Sequence, residues 1–430
     1  MQGAELSDRV RARLQRWNVV PVATLGPSLA FESRRRHSPE SILTADELRD
    51  FESIRNESHA WQTTRGSHQR LIVILKLTRL CNLRCTYCHA WRDGPGQVME
   101  FATVARAVAT TLRKSDVREV DFVWHGGEVT TLRTDFARKV LWLQAQFAQP
   151  GQIIHNSIQT NAYSISDEWM ELLVESGFSV GVSVDGSARI HDASRRTVGG
   201  RPTFERVMRN VARMRERGID LGALVVVTSS VVELGAEALL RALVESDVGQ
   251  VALLNEIPDI NAVSPVAGDN FVPFGAFVEF LRELLPIWWS GYRDRLRIRE
   301  LEAYIAVLDG KGARTCTLAG NCMGGYLTID PDGTVAACDK YVGGRDYVFV
   351  KLGYSARNEI AESANLLRAR QEADRDTESM PQCPFYSCCR GGCPHDNKLT
   401  RIMNGAPSAC CGLRPLFEDL QSLTTGDRNG

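Results

Sequence analysis

No segment of this chain is long and apolar enough to cross a membrane as a helix. Leu71–Leu75 and the broken stretch Leu221–Val232 fall well short of the roughly 18 residues that a span needs. There is no basic excess either. Lys+Arg 51 against Asp+Glu 52 leaves a net charge of -1, which excludes a nucleic-acid binder held by phosphate neutralisation. The N-terminal MQGAELSDRVRARLQRW has no apolar signal core, so the expectation is a soluble, cytoplasmic protein with no nucleic-acid or membrane partner. Cysteine is absent between positions 89 and 315. What remains is 430 residues at 43% hydrophobic, enough for one large core or for two to three domains of roughly 150 residues.

The cysteines that do occur are twelve, and they cluster. Cys81, Cys85 and Cys88 fall within eight residues, and nine others follow Arg314. Cytosolic chains rarely use disulfides, so metal binding is the default reading of such clusters.

Residues 1–70 are Arg-rich, with helix-like pieces around Ser7–Trp17 and Thr44–Arg55; the run Arg34–His37 reads as a solvated loop. From Leu71 onward strands and helices alternate. Strands are expected at Leu71–Leu77, Glu119–Trp124, Ile153–Gln159, Ser179–Val184, Leu221–Val227 and Gln250–Asn255. Amphipathic helices are expected near 101–114, 132–147, 166–176, 202–217 and 233–246. Such alternation predicts an α/β fold with a parallel sheet and right-handed crossovers, a partial (β/α)6 TIM-like barrel. The expected organisation is an N-terminal extension over 1–70, available for substrate-peptide contacts or for packing under the barrel. The barrel follows over 71–270, then a helical linker over 271–315 (Phe274–Trp289, Arg297–Leu308) and a Cys-rich region over 316–430. The last region has few long apolar periodic segments, so it needs metal staples in place of a core of its own.

Cys81-Asn-Leu-Arg-Cys85-Thr-Tyr-Cys88 follows the first strand directly, which places it on the catalytic rim of the barrel. A structural zinc site wants four ligands. Here there are three, with His89 too close to Cys88 to complete a tetrahedron. Three thiolates on a four-iron cluster leave one iron open to an exogenous ligand. This spacing, with Tyr87 before the last Cys, resembles the signature of the radical S-adenosylmethionine (SAM) enzymes. The resemblance implies that the open iron chelates the amino and carboxylate groups of SAM and that reduction yields a 5′-deoxyadenosyl radical. His125-Gly126-Gly127-Glu128 resembles the family's G-G-E motif, with Val129 where the family usually has Pro. Its glycines allow close backbone approach, and its carboxylate can accept from the SAM ammonium group. By the same resemblance Tyr87 packs near the adenine. Gln159, at the end of the third strand, lines the site, and Ser183 with Arg195 or Arg196 contacts the SAM carboxylate and ribose.

The tail resembles the SPASM extension of a subset of these enzymes. Cys322-x10-Gly333-x4-Cys338, Cys383-x5-Cys389-x3-Cys393 and Cys410-Cys411 match its parts in order. The resemblance implies two auxiliary 4Fe–4S clusters, three in all with the SAM cluster. The first would be held by Cys316, Cys322, Cys338 and Cys393, the second by Cys383, Cys389 and one of Cys410 or Cys411. The family's central motif begins C-x-x-C, but Met380 stands three residues before Cys383. A thioether is a poor ligand for such a cluster. The substitute donors are Cys388 and the spare member of the 410/411 pair. A pair of zinc sites is the alternative for the tail.

An auxiliary cluster beside a substrate implies net oxidation, with an external donor such as a flavodoxin or ferredoxin supplying the starting electron. In related sulfatase-maturating enzymes an Asp after the matching Cys acts as a base. The resemblance implies that role for Asp339; the alternative is a carboxylate fixing its own loop. SPASM-tailed enzymes act mostly on peptides or proteins. Cys338-Asp339-Lys340-Tyr341 resembles a stretch of the ring-forming maturases, so an oxidative cross-link in a ribosomally made precursor peptide is the preferred expectation. Formylglycine formation in a sulfatase is the alternative, and a non-catalytic electron carrier is the alternative of another class.

Overall fold

In the computed structural model, the described residues are 34, 36–57, 70–92, 94, 96–113, 117–261, 263, 271–312, 315–353, 360 and 363–428. The expected helix at Ser7–Trp17 lies outside them.

The sheet is built on β1 (Arg70–Thr78), whose largely apolar sequence RLIVILKLT alternates between buried and half-buried residues and pairs with a strand along each edge. β2 (Glu119–Gly126), β3 (Ile153–Thr160), β4 (Ser179–Ser183), β5 (Leu221–Val227), β6 (Gln250–Asn255) and the two-residue β7 (Arg297–Ile298) follow in sequential, parallel order. The six expected strands all form, in the partial-barrel order.

Outer helices cover the sheet. α1 (Ala45–Asn56) starts with a capping box in which Thr44 N donates to Glu47 Oε2 at 2.7 Å and Glu47 N donates to Thr44 Oγ1 at 3.3 Å. It packs Phe51 on Trp142 and Phe147, so this part of the N-terminal extension lies against the barrel's outer layer. Arg34 is docked as well, donating from Nη2 to Ser176 Oγ at 2.8 Å, while Arg36 and His37 are exposed. The expected solvated loop is thus anchored at its first residue. The crossovers hold α2 (Phe101–Leu112), α3 (Thr134–Phe147), α4 (Asp167–Glu175), α5 (Ala188–Ser194), α6 (Phe204–Glu216), α7 (Ser229–Leu234) and α8 (Ala236–Glu245). The expected helix 233–246 is interrupted at Gly235, whose φ of +86° ends α7 and starts α8. α9 (Phe274–Gly291) and α10 (Arg299–Leu308) are the two helices expected between the barrel and the tail.

The tail differs from a free-standing stapled unit. Its strands β8 (Tyr326–Ile329), β9 (Thr334–Ala336) and β10 (Val348–Lys351) join the barrel sheet, with β8 parallel to β1 in the register Ile72↔Tyr326 to Leu75↔Ile329. Leu327, Ile329 and Val335 are buried in the common core. A segment too polar to build its own core has taken up the edge of another. α11 (Ala364–Thr377), the one-turn α12 (Tyr386–Cys389), α13 (Pro394–Asn404) and α14 (Arg414–Arg428) complete it. No helix among the described residues is long and apolar enough to cross a membrane.

Candidate active site

The three early cysteines sit on the loop leaving β1, at the C-terminal ends of the strands, and that loop is clamped from two sides. Gly127 N donates to Thr78 O at 2.7 Å and Glu128 N to Leu80 O at 2.8 Å. A Cβ on Gly126 would overlap the Thr78 carbonyl, and one on Gly127 the Leu80 carbonyl. The glycine pair therefore makes room for the chain's own cysteine loop. On the other side, Arg84 N donates to Arg196 O at 2.8 Å and Thr86 N to Ser194 O at 3.1 Å.

Glu128 is committed to the protein. It accepts from Thr130 N at 3.1 Å, Thr130 Oγ1 at 2.7 Å, Thr160 Oγ1 at 2.8 Å and Asn161 N at 2.7 Å, which ties the end of β2 to the end of β3. The sequence expectation made this carboxylate an acceptor for a ligand ammonium; in the fold it accepts from internal donors, which the adjacent C-terminal ends of β2 and β3 present within hydrogen-bond range. Burial pushes its pKa up, against these hydrogen bonds. Asn161 reaches back, donating from Nδ2 to Asn82 Oδ1 at 2.8 Å, beside Cys81 Sγ at 3.8 Å.

Of the two arginine candidates, Arg195 is buried and paired. Its Nε donates to Asp185 Oδ2 at 2.7 Å and its Nη2 to Asp185 Oδ1 at 3.3 Å. Tyr87 OH donates to the same Oδ2 at 2.6 Å, and Val226 N to Oδ1 at 3.1 Å. Arg195 also lies over the Tyr87 ring. This network fixes Tyr87 and the loop beside Cys85 on Asp185, a residue to which the sequence assigned no role. Arg196 is more open and donates to Gly200 O at 3.1 Å. Gln159 Nε2 donates to Ser183 Oγ at 3.0 Å across the ends of β3 and β4, and Gly181 leaves room for the Gln159 side chain.

Asp339 faces the end of β2, with its Oδ2 4.0 Å from His125 Nδ1. Burial pushes the imidazole pKa down, so it is neutral at pH 7, and its Nδ1 has no hydrogen-bond partner. The tail residue and the barrel residue thus meet at one mouth. Next to Asp339, Lys340 is half-buried, donating to both Asp396 oxygens at 3.0 Å and to Cys393 Sγ at 3.8 Å. Nothing in the sequence paired these residues, because 56 positions separate them.

In the tail, Cys316, Cys322, Cys338 and Cys393 lie close enough to perturb one another's ionisation. Cys383, Cys389, Cys410 and Cys411 form a second group joined by thiol contacts. Cys388 is apart, its Sγ 3.9 Å from Val307 O. All twelve cysteines are free.

These residues fit iron–sulfur clusters better than single ions. A tetrahedral zinc site holds its sulfurs about 3.8 Å apart, yet no three cysteine sulfurs among the described residues lie within 4.8 Å of one another. The trio that does, Glu119, Asp121 and His155, is far from any cysteine in sequence and shares its carboxylates with Arg70. Burial pushes Cys81 up to about 12, Cys85 up to about 11 and Cys322 up to about 12. Thiolates there need a strong cationic partner such as iron. At the strand ends Asn82 Nδ2, His125 Nδ1 and Thr228 Oγ1 are buried without partners, an arrangement suited to a polar ligand.

Comparison with known proteins gives the same picture. The model of the radical SAM superfamily matches residues 75–233. The chain is 26% identical over 382 residues to the serine-type anaerobic sulfatase-maturating enzyme of Bacteroides thetaiotaomicron, covering 81% of this chain and 88% of that one. It is 25% identical to the cysteine-type anaerobic sulfatase-maturating enzyme of Clostridium novyi, covering 80% and 93%. Its fold matches a solved structure described as native anSMEcpe with bound AdoMet and Kp18Cys peptide, at a TM-score of 0.71 and 22% identity over 83% and 98% of the two chains. Relatives of this kind favour the sulfatase-maturating alternative over the cross-linking expectation, which none of them supports, and they set the electron carrier aside. Motif, fold and chain-long relatives agree: the chain carries a radical SAM domain over residues 75–233 and a cysteine-rich C-terminal region, and it is a radical SAM enzyme.

Proposed function

We propose that this chain oxidises a serine or cysteine side chain of a polypeptide to formylglycine, the reaction of sulfatase maturation. The observation that carries this reading is the extent of the likeness. The 382 aligned residues exceed the radical SAM segment 75–233, so the similarity to a sulfatase-maturating enzyme runs beyond the barrel. Cys81, Cys85 and Cys88 would hold the SAM-binding 4Fe–4S cluster, and the two tail groups would hold auxiliary clusters, three in all. When bound, these groups supply hydrogen-atom abstraction at the substrate carbon and a sink for one electron.

The chain's own residues do the rest. Asp339 takes the proton of the substrate hydroxyl or thiol as its carbon is oxidised. With one hydrogen removed as an atom, one as this proton and one electron passed on, a serine becomes an aldehyde. A cysteine becomes a thioaldehyde that water hydrolyses. Neutral His125 lies 4.0 Å from Asp339, beside it at the barrel mouth. The Asp185 network keeps Tyr87 and the Cys85 loop fixed, and Gln159 with Ser183 closes the floor between β3 and β4. An external one-electron donor of the flavodoxin or ferredoxin class starts the reaction.

The test is to incubate reduced, anaerobically reconstituted protein with SAM and sulfatase-derived peptides carrying Ser or Cys at the target position. A serine peptide should lose about 2 Da, two hydrogens in a two-electron oxidation, and become reactive to a hydrazide. A peptide that loses the same mass without gaining an aldehyde would return the reading to cross-linking. Asp339→Asn should lower turnover by about 10²–10⁴-fold with iron content unchanged.

A further inference from the structure

We propose that Cys410 is the fourth thiolate of the second auxiliary cluster, completing Cys383, Cys389 and Cys411 at the corner that the central motif leaves to Met380. The inference rests on the tail being cluster-binding and goes beyond it by assigning a ligand set particular to this chain.

Met380 is 2% exposed and packs in the hydrophobic core, so its thioether serves packing. It begins the turn leading to Cys383, whose N–H donates to Met380 O at 2.9 Å. Of the remaining thiols, Cys388 lies on the one-turn helix Tyr386–Cys389 with its sulfur toward Val307 O at 3.9 Å. Its neighbour Cys389 contacts Cys411. A one-turn helix cannot aim two successive side chains at one point, and here it aims Cys389.

The adjacent pair 410/411 behaves differently. Cys410 contacts Cys383, and Cys411 contacts Cys389. The four sulfurs run in the order Cys383, Cys410, Cys411, Cys389. Two adjacent residues therefore reach two different members of the group, as neighbouring but distinct corners of one cluster require. The local backbone supports this. Gly412 has φ +90° and its N–H donates to Cys410 Sγ at 3.3 Å, while Cys410 N donates to Ser408 Oγ at 3.2 Å. N–H donors of this kind stabilise a ligating thiolate. On the facing side Gly392, at φ +76°, leaves the space that Cys411 fills; a Cβ there would come within 2.7 Å of Cys411 Cβ.

The experiment uses the full chain carrying Cys81→Ala, Cys85→Ala and Cys88→Ala, so that only tail iron is counted after anaerobic reconstitution. This parent should bind about 8 iron atoms in two four-iron clusters. Adding Cys410→Ala should remove about one to four of them and, on oxidation, give the EPR signal of a three-iron cluster, while adding Cys388→Ala should change neither. Should Cys410→Ala empty both tail sites, Cys410→Ser decides. A serine oxygen on iron shifts the reduction potential of one cluster, and an unmoved potential overturns the proposal. A Cys410→Ala protein with the parent's iron and spectrum also overturns it, as does iron loss confined to Cys388→Ala. Neither readout depends on peptide turnover, and a parent that binds no iron would refute the cluster-binding tail itself.

Discussion

Replacing Asp185 by alanine should be among the most damaging single changes at the barrel mouth. The carboxylate is 1% exposed and Arg195 is 6% exposed. It accepts from Arg195 through both oxygens, from Tyr87 OH and from Val226 N–H. Arg195 in turn raises the ionised state of Asp185, holding that pKa below the usual carboxylate range against the cost of burial. Removing one partner of a buried pair leaves an uncompensated charge and costs about 3–5 kcal/mol. Here Arg195 would be left beside the Cys85 thiol, and Tyr87 and Val226 would each lose an acceptor. The assay is a double-mutant cycle on anaerobic protein by urea denaturation, with Asp185→Ala, Arg195→Leu and the double variant. The double variant should be less damaged than the sum of the singles by at least about 2 kcal/mol, because the charge and its partner leave together. Strict additivity would refute the claim that this pair organises the mouth.

Other outcomes follow from the same contacts. Glu128→Gln sets an amide NH2 against donors from Thr130, Thr160 and Asn161, and should cost about 1–3 kcal/mol per unsatisfied buried group, read as a lower urea midpoint. Gly127→Ala drives a Cβ into the Leu80 carbonyl and should displace the cysteine loop, lowering reconstituted iron by about 4 atoms while the tail spectrum persists. His191 gives a pH dependence. It is buried and uses both ring nitrogens while neutral, Nδ1 accepting from Asp185 N at 3.4 Å and Nε2 donating to Thr203 Oγ1 at 3.1 Å. Burial and the neighbouring Arg195 push its pKa down to about 4 from 6.5. The unfolded state therefore binds the proton first. This stability is complete above pH 6.5 and falls as pH drops toward 4, by about 1.4 kcal/mol at pH 5.5. His191→Gln should flatten that slope in denaturation at pH 7.5 and 5.5; an unchanged slope would contradict the assignment.

The barrel was legible because its strands are short apolar or alternating runs bounded by turns, and because β1 is largely apolar along its length. The cysteine loop was legible for a similar reason: its chemistry is local in sequence. What could not be read was pairing across distance. Asp185 lies ten positions from Arg195 but 98 from Tyr87, and no periodicity marks that triad. Glu128 looked like a ligand acceptor because the donors of Thr130, Thr160 and Asn161 come together only when β2 and β3 are side by side. The tail's polar composition led to an expectation of metal staples in place of a core, and did not announce that β8 would reach the barrel's core by pairing with β1. The substrate was least legible, since Cys338–Tyr341 resembles more than one maturase group and the preference for cross-linking rested on four residues.

The central claim is tested most directly by following one hydrogen. A serine peptide deuterated at the target Cβ, incubated with SAM and the reduced holoenzyme, should transfer deuterium into 5′-deoxyadenosine in step with the appearance of the peptide aldehyde. Unlabelled 5′-deoxyadenosine accumulating while the peptide stays intact would contradict it.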